Sequence, residues 1–211
     1  LHASLAPSEM CIRDRKKVAI RPSLTLLIVA MLTIMSLFTE SSMINWSAKY
    51  LTDVASTSTG IAAFAFGGFS FAMAIGRLAG NPLILRYGRD CVLVSSGLLG
   101  VAGFALAVGA PSPVTSIAGF MLVGLGLSNM TPILYSKAAQ ACPQAPSLGL
   151  ALNGTIGYVG FLVCPPIIGM TSDHVGLQLS MLLPLAAMLV VSLVAWKGQL
   201  ELRTAAKPLA N

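Results

Sequence analysis

The segment SLTLLIVAMLTIMSLFTESSMINWSAKYL, residues 23–51, decides the fold class of this chain. An α-helix needs about 20 apolar residues to cross a hydrocarbon core about 30 Å thick, and this segment is longer than that. Five further apolar segments follow it, separated by Pro, Gly and polar residues that interrupt helices. The sequence therefore predicts six membrane-spanning helices, with the bounds 23–51, 60–80, 91–110, 114–135, 147–169 and 179–196.

The composition supports a membrane protein and excludes several other classes. Of the 211 residues, 55% are hydrophobic and 9% are charged, whereas an ordinary soluble domain is about 25% charged. Disordered chains have the opposite composition. The net charge of +6 is not carried by a basic stripe with interleaved aromatic residues, so we expect no nucleic-acid partner. The predicted fold class is all-α, a polytopic protein embedded in a lipid bilayer.

Cysteine and histidine patterns give no indication of a metal or cofactor site. The four cysteines are far apart and form no C-x-x-C pair, and the chain has two histidines. The nucleotide-binding G-x-x-x-x-G-K-[ST], the H-E-x-x-H zinc motif and the G-x-S-x-G nucleophile motif are all missing from the sequence. We therefore expect no metal, no cofactor and no enzymatic activity.

The two ends of the chain differ in composition from the rest. Residues 1–15, LHASLAPSEMCIRDR, are too charged and too weakly apolar for a signal peptide. Residues 8–15 resemble a translated sequencing-library adapter, so we expect a non-native segment, with native sequence beginning near residue 16 in a truncated reading frame. The alternative is a short disordered cytoplasmic arm. The transmembrane domain is then predicted over residues 16–200 and a cytoplasmic tail over 201–211.

Basic residues lie on alternate joints between the spans. Those on one side are Lys16, Lys17 and Arg21 before the first span, Arg86 and Arg89 after the second, Lys137 after the fourth, and Lys197, Arg203 and Lys207 after the sixth. The opposite joints hold Lys49 alone. By the positive-inside rule, this asymmetry predicts that both termini are cytoplasmic, and an even number of spans agrees with it.

A short internal repeat indicates two copies of a three-span unit. The second span ends in NPLILRYG, residues 81–88, and the fifth ends in GMTSDHVG, residues 169–176. The two patterns are 88 positions apart, close to the separation between the first and fourth spans. Because three is an odd number of spans, the second copy is inverted, as in many secondary transporters.

The segment GRLAGNPLILRYGRD, residues 76–90, resembles the loop signature of the major facilitator superfamily, roughly G-x-L-a-D-R-x-G-R-R. The matching positions are Leu83, Arg86, Gly88 and Arg89. Leu85 replaces the acidic residue of the signature, and Asp90 replaces its last basic residue. Such erosion is typical of the second half of these transporters.

Three other segments resemble spans of the same family. Residues 40–51 are similar to the end of the seventh span in a sugar-permease-like branch, residues 124–136 to the tenth span and residues 157–169 to the eleventh. The resemblance implies the C-terminal six-helix half of a twelve-helix carrier in the plasma or inner membrane. Its partners would be a small-molecule substrate and the N-terminal half, with the substrate bound at mid-membrane and moved by alternating access. The alternatives from other classes are a non-transporting scaffold or sensor and a membrane-embedded enzyme.

The resemblance also implies a gating loop at the joint after the second span. Its residues are Arg77, Arg86, Gly88, Arg89 and Asp90, whose charges would form salt bridges between the two halves in one gate state. The alternative is that these charges only reach the interface and set the topology.

Glu40 is the one carboxylate well inside a predicted span, and such residues face a bundle interior or a water-filled cavity by default. Thr33, Ser36 and Ser47 share its helix face within about 40°, which is typical of a cavity wall. Desolvation disfavours a charged carboxylate, so we predict that Glu40 couples transport to protons. The alternatives are direct binding of a substrate and contact with lipid headgroups near the outer interface. Trp46 is expected in an outer aromatic belt, together with Tyr50.

The fourth and fifth spans supply the other candidate binding residues. Ser128, Thr131 and Tyr135 share one face, and Asn129 lies about 100° from Ser128. Pro132 interrupts this helix, which either opens backbone groups to a cavity or forms a packing kink. In the fifth span Asn153 stands on a face of small residues, where it would bind a substrate or a neighbouring helix.

Overall fold

The computed structural model describes residues 24–205, with side chains to residue 198. Within that range helices are the only regular elements. The expectations for residues 1–15 and for the last residues of the predicted tail lie outside the described residues. The eight helices are α1 (Leu24–Asp53), α2 (Thr59–Tyr87), α3 (Arg89–Gly109), α4 (Pro113–Leu127), α5 (Met130–Ala141), α6 (Pro146–Val175), α7 (Leu177–Ser180) and α8 (Leu182–Ala205).

The eight helices form six candidate membrane spans, which confirms the predicted all-α, six-span fold. Helices α4 and α5 together make the span Pro113–Ala141, and α7 with the first part of α8 makes Leu177–Gly198. Because successive spans run in opposite directions, the α2–α3 turn lies at one end of the bundle and the α6–α7 turn at the other. We call these the Gly88 end and the Gly176 end.

The second and fifth spans continue past the prolines near their ends and are longer than predicted. Helix α2 continues to Tyr87 and α6 to Val175, through Pro82 in the first and Pro165 and Pro166 in the second. A proline removes one backbone donor, and membrane helices tolerate this loss. The prolines therefore do not mark the ends of these helices.

Glycine sets both helix ends, in the same geometry. Gly88 has φ 82° and ψ 156°, and Gly176 has φ 81° and ψ 157°. Positive φ is strained for other residue types. Each glycine donates its N–H to the carbonyl four residues earlier, at 2.9 Å from Ile84 O and from Ser172 O. The starts of α1 and α4, of α2 and α6, and of α3 and α7 are 89, 87 and 88 residues apart. The two triplets are therefore an inverted repeat, as the sequence predicts.

Small residues let helices of different triplets pack closely. A side chain on Gly160 of α6 would meet the backbone of Ile34 in α1, and one on Gly124 of α4 would meet the backbone of Phe69 in α2. Such contacts are the usual basis of helix association in membranes. The α1–α6 and α2–α4 contacts correspond to each other in the repeat.

Tyr50 differs from its expected place in an outer aromatic belt. Its side chain is fully buried, and its hydroxyl donates to Ala107 O at 2.8 Å. Its ring packs edge-on against Phe120, with centroids 5.5 Å apart. A buried tyrosine needs such a hydrogen-bond acceptor, and Ala107 of α3 supplies it.

Candidate transport site

An ion pair between α1 and α2 lies in the middle of the bundle. Arg77 Nη2 is 3.9 Å from Glu40 Oε1. At about 1.5 Å per residue, Glu40 lies about 24 Å along α1 from its first residue, and Arg77 about 15 Å from the last residue of α2. Arg77 is therefore further from the end of the span than predicted, because α2 extends ten residues beyond it. Its gating role stays a prediction.

The two partners of this pair differ in exposure. The side chain of Glu40 is 20% exposed, whereas that of Arg77 is 55% exposed. A charge that faces hydrocarbon is costly, and intramembrane ionisable residues face a cavity or a partner instead. The exposed part of Arg77 therefore points to a polar space outside the six-helix unit.

Small and polar residues continue along α2 on the side of Arg77. This α2 stripe is formed by Ala63, Gly67, Ser70, Ala74, Arg77 and Asn81. Their spacing of three or four residues puts them on one face, and all six are exposed or partly exposed. No atom lies within 4 Å of where a side chain on Gly67 would begin. The other exposed side of α2 carries large apolar residues such as Phe71 and Leu78.

Sequence reasoning missed the α2 stripe, although the spacing was visible. The signal was a run of small residues at helical intervals that leads to a basic residue inside a span. Lipid contact favours large apolar side chains, so a small and polar face is typical of a water-filled passage.

The polar residues of α1 do not form an open wall. Thr33, Ser36 and Ser47 are fully buried, unlike Glu40, and this differs from the expected cavity wall. The Ser36 hydroxyl contacts Met130 Sδ at 4.0 Å, while Ser47 Oγ has no hydrogen-bond partner among the described residues. Close packing of α1 by its neighbouring helices covers this face. The transport roles of Ser36 and Ser47 stay predictions.

The interruption of the fourth span lies at Ser128 and Asn129. Pro132 has no N–H to donate to the carbonyl of Ser128, four residues earlier. The Ser128 hydroxyl donates to Leu125 O at 2.6 Å. Asn129 Nδ2 donates to Gly76 O and to Ser128 Oγ, at 3.0 Å each. These bonds favour the packing-kink interpretation, and they join the kink to the residue before Arg77.

Two buried donors close to these elements have no partner in the described chain. They are Thr131 Oγ1 and Asn153 Nδ2. The other end of the Asn153 amide accepts a hydrogen bond from Thr33 Oγ1 at 3.0 Å. Tyr135 is partly exposed, and a side chain on Gly154 would begin 3.1 Å from its hydroxyl. Buried donors are normally satisfied, so Thr131 and Asn153 stay candidate binding residues.

Comparison with known proteins agrees with this architecture. The family model of the Major Facilitator Superfamily matches residues 24–209. The chain belongs to this superfamily. It is 33% identical to the membrane protein MosC of Rhizobium meliloti over 79% of its own length and 41% of that protein. It is 38% identical to an uncharacterized MFS-type transporter of Yersinia pestis over 62% of the chain and 34% of the relative.

A third relative carries a substrate in its name. The chain is 34% identical to a putative tartrate transporter of Agrobacterium vitis, over 50% of the chain and 25% of that protein. The aligned parts thus span less than half the length of these curated relatives.

In this superfamily member two loop residues at the Gly88 end, Asp90 and Arg86, have partners inside the six-helix unit. Asp90, in the first turn of α3, forms an ion pair with Lys137 of α5. The expected salt bridge of these loop residues to another half stays a prediction. The guanidinium of Arg86 lies 5.4 Å from the ring centroid of Tyr87, and Arg89 is exposed. Within the described residues, no group of three His, Cys, Asp or Glu side chains is placed to hold a metal ion.

Proposed function

We propose that the protein is a secondary transporter that moves a small solute by alternating access and couples this movement to protons through Glu40. The observation that carries the proposal is the Glu40–Arg77 pair at mid-depth beside the α2 stripe. Ionisable residues inside membrane spans mark substrate and proton pathways. Transporter-named relatives support the general activity.

The six helices work with a second six-helix unit in this proposal. The curated relatives are more than twice as long as the region they share with this chain. Helices α2 and α6 also carry exposed residues along much of their length, including Phe64, Phe71, Tyr158 and Leu162. A preceding N-terminal half would cover part of these faces and enclose the passage. We place both ends of the six-helix unit in the cytoplasm and the carrier in the plasma or inner membrane.

The alternative functions, a scaffold or sensor and an enzyme, do not account for the Glu40–Arg77 pair. A scaffold or sensor needs no ion pair beside a small and polar face, because packing alone sustains it. An enzyme needs several catalytic groups at one depth, whereas Glu40 is the one described carboxylate more than a turn from a span end. Transport of a solute separates both alternatives from the proposal.

The test uses the complete carrier in proteoliposomes that contain a pH-sensitive dye. Tartrate, named for the Agrobacterium vitis relative, is added first, followed by sugars, sugar acids and small dicarboxylates. We expect at least one solute to move protons inward with it, and an alkaline interior to drive its accumulation. Fluxes no larger than those of protein-free liposomes for every solute contradict the proposal.

A further inference from the structure

Arg77 has unused hydrogen-bonding capacity. A guanidinium carries five N–H donors in a planar fork. In the described chain, its one charged contact is with Glu40 Oε1, at 3.9 Å. This distance is longer than that of a charge-assisted hydrogen bond, which is about 2.7–2.9 Å. No other side chain or carbonyl among residues 24–198 accepts a hydrogen bond from Arg77. Glu40 therefore balances the charge of Arg77 while leaving its donors free.

The free donors face the passage side of the molecule. Arg77 is more than half exposed and belongs to the α2 stripe, whereas Glu40 is largely covered by protein. The other described basic side chains lie within about two turns of a span end, where they reach the interface. Arg77 is thus the one basic group in position to meet a solute at mid-depth.

We infer that the transported solute carries a carboxylate that binds the guanidinium of Arg77 in place of Glu40. This inference rests on the proposed function and adds the chemical class of its substrate. The planar fork of arginine matches the two oxygens of a carboxylate. A sugar hydroxyl offers no charge to replace that of Glu40, so a neutral solute would leave Arg77 and Glu40 paired.

Charge balance makes the exchange require a proton. With Glu40 ionised, the pair is neutral. Adding a solute carboxylate would leave one uncompensated negative charge in a site of low dielectric, which is costly. A proton from water, taken by Glu40, restores neutrality. The contact between Glu40 and Arg77 breaks, a contact between Arg77 and the solute forms, and one proton accompanies each carboxylate.

No other ionisable group among the described side chains is placed to take over the role of Glu40. Besides Glu40, the described ionisable side chains, up to residue 198, on α1 and on the helices packed against it are Lys49, Tyr50 and Asp53 on α1, Arg77, Arg86 and Tyr87 on α2, Tyr135 and Lys137 on α5, Tyr158, Cys164, Asp173 and His174 on α6, and Lys197 on α8. Of these described groups, Arg77 alone forms an ion pair with Glu40. Lys49 is paired with Asp53 instead, at 2.6 Å.

The test measures how fast phenylglyoxal modifies Arg77 in the complete carrier. Peptide mass spectrometry reads each arginine separately, so the exposed Arg86 and Arg89 serve as internal controls. The probes are matched pairs that differ in a carboxylate: galacturonate with galactose, and gluconate with sorbitol. We expect a carboxylate at about ten times its Kd to slow modification of Arg77 about tenfold, because protection of a site scales as 1 + [L]/Kd. Its neutral partner should have no effect, and Arg86 and Arg89 should react unchanged.

The variant Glu40→Gln imitates the protonated state and sharpens the test. At mildly alkaline pH, where the wild-type carboxylate holds Arg77, we expect this variant to show stronger protection by the same carboxylate. Equal protection by galactose and galacturonate, or protection by neither acid, overturns the inference. So does an Arg77 that resists the reagent in both forms, because a second unit then covers it.

The outcomes separate this inference from the transport proposal. If a carboxylate protects Arg77 but no solute moves protons in proteoliposomes, the binding inference stands and the transport proposal fails. If instead a neutral sugar moves protons while Arg77 reacts freely in its presence, transport stands and the carboxylate inference fails.

Discussion

Glu40 and Arg77 compensate each other's charge inside the bundle, where the side chain of Glu40 is 20% exposed. Removing one partner of such a pair leaves an uncompensated charge, which costs more than the pair contributes. The exposed position of Arg77 moderates this cost, because water in a passage solvates the guanidinium. Glu40 is the covered partner, so the energy of the pair depends mainly on whether Glu40 is protonated.

At the residue scale, we expect Glu40→Gln to abolish accumulation driven by a pH gradient and to preserve counterflow exchange. Glutamine keeps the shape of the side chain and cannot release a proton. The measurement compares both activities of the complete carrier in proteoliposomes. Asp53→Asn is the control, since Asp53 lies at the helix end and pairs with Lys49. Unchanged pH-driven accumulation in Glu40→Gln would contradict proton coupling at this residue.

The sequence could identify Glu40 and not its partner. A lone carboxylate in an apolar run is visible without coordinates. Arg77 lies in the last turn of the predicted span 60–80, next to the loop signature, so its sequence position indicates a gating role. The continuation of α2 to Tyr87 places it deeper in the span, where it meets Glu40.

At the element scale, the kink of the fourth span is tied to α2 by one amide. Asn129 Nδ2 donates to Gly76 O at 3.0 Å, and Asn129 is 6% exposed. We expect Asn129→Ala to lower the free energy of unfolding by about 1 kcal/mol, the magnitude of a hydrogen bond between membrane helices. Thermal melting in detergent measures it. Asn45→Ala is the control, because Asn45 bonds the carbonyl of Ser41 in its own helix. Equal melting temperatures for both variants would argue against the tie.

Two glycines set the distance between helices of different triplets. A side-chain carbon on Gly160 would begin 3.0 Å from Ile34 Cα, and one on Gly124 would begin 3.2 Å from Met73 N. Since backbone cannot move aside as a side chain can, we expect Gly160→Ala and Gly124→Ala each to destabilise the protein by about 1–3 kcal/mol. Gly67→Ala should be neutral, because its position is open. The same melting assay tests all three, and a neutral Gly160→Ala would contradict the packing argument.

The sequence predicts which segments form helices, but it does not predict what each helix face contacts. All six spans follow from hydrophobic length, and the face of small residues on α6 that carries Asn153 is buried. The polar face of α1 has the same kind of periodicity, yet Thr33 and Ser36 are buried. Periodicity identifies a face but not its neighbour, and here the neighbours are helices distant in sequence.

At the scale of the whole molecule, the inverted repeat explains why two weakly similar segments adopt the same turn. Few residues agree between 81–88 and 169–176, but both segments must end a long helix and turn at once into the next. Gly88 and Gly176 meet that requirement with nearly identical dihedral angles. Loop charges are free to diverge, so Asp90 pairs with Lys137 within the unit.

The charge distribution predicts the orientation of the whole bundle in the membrane. Basic residues gather at the Gly88 end, where Arg86, Arg89 and Lys137 lie, and the positive-inside rule places that end in the cytoplasm. Cys91, exposed near the start of α3, is a native reporter for it. Ser112, before α4, reports the Gly176 end. In single-cysteine proteins, we expect an impermeant maleimide to label Ser112→Cys in intact right-side-out vesicles, and Cys91 only after permeabilisation. The reverse pattern would invert the assignment, and with it the side from which Glu40 takes its proton during uptake.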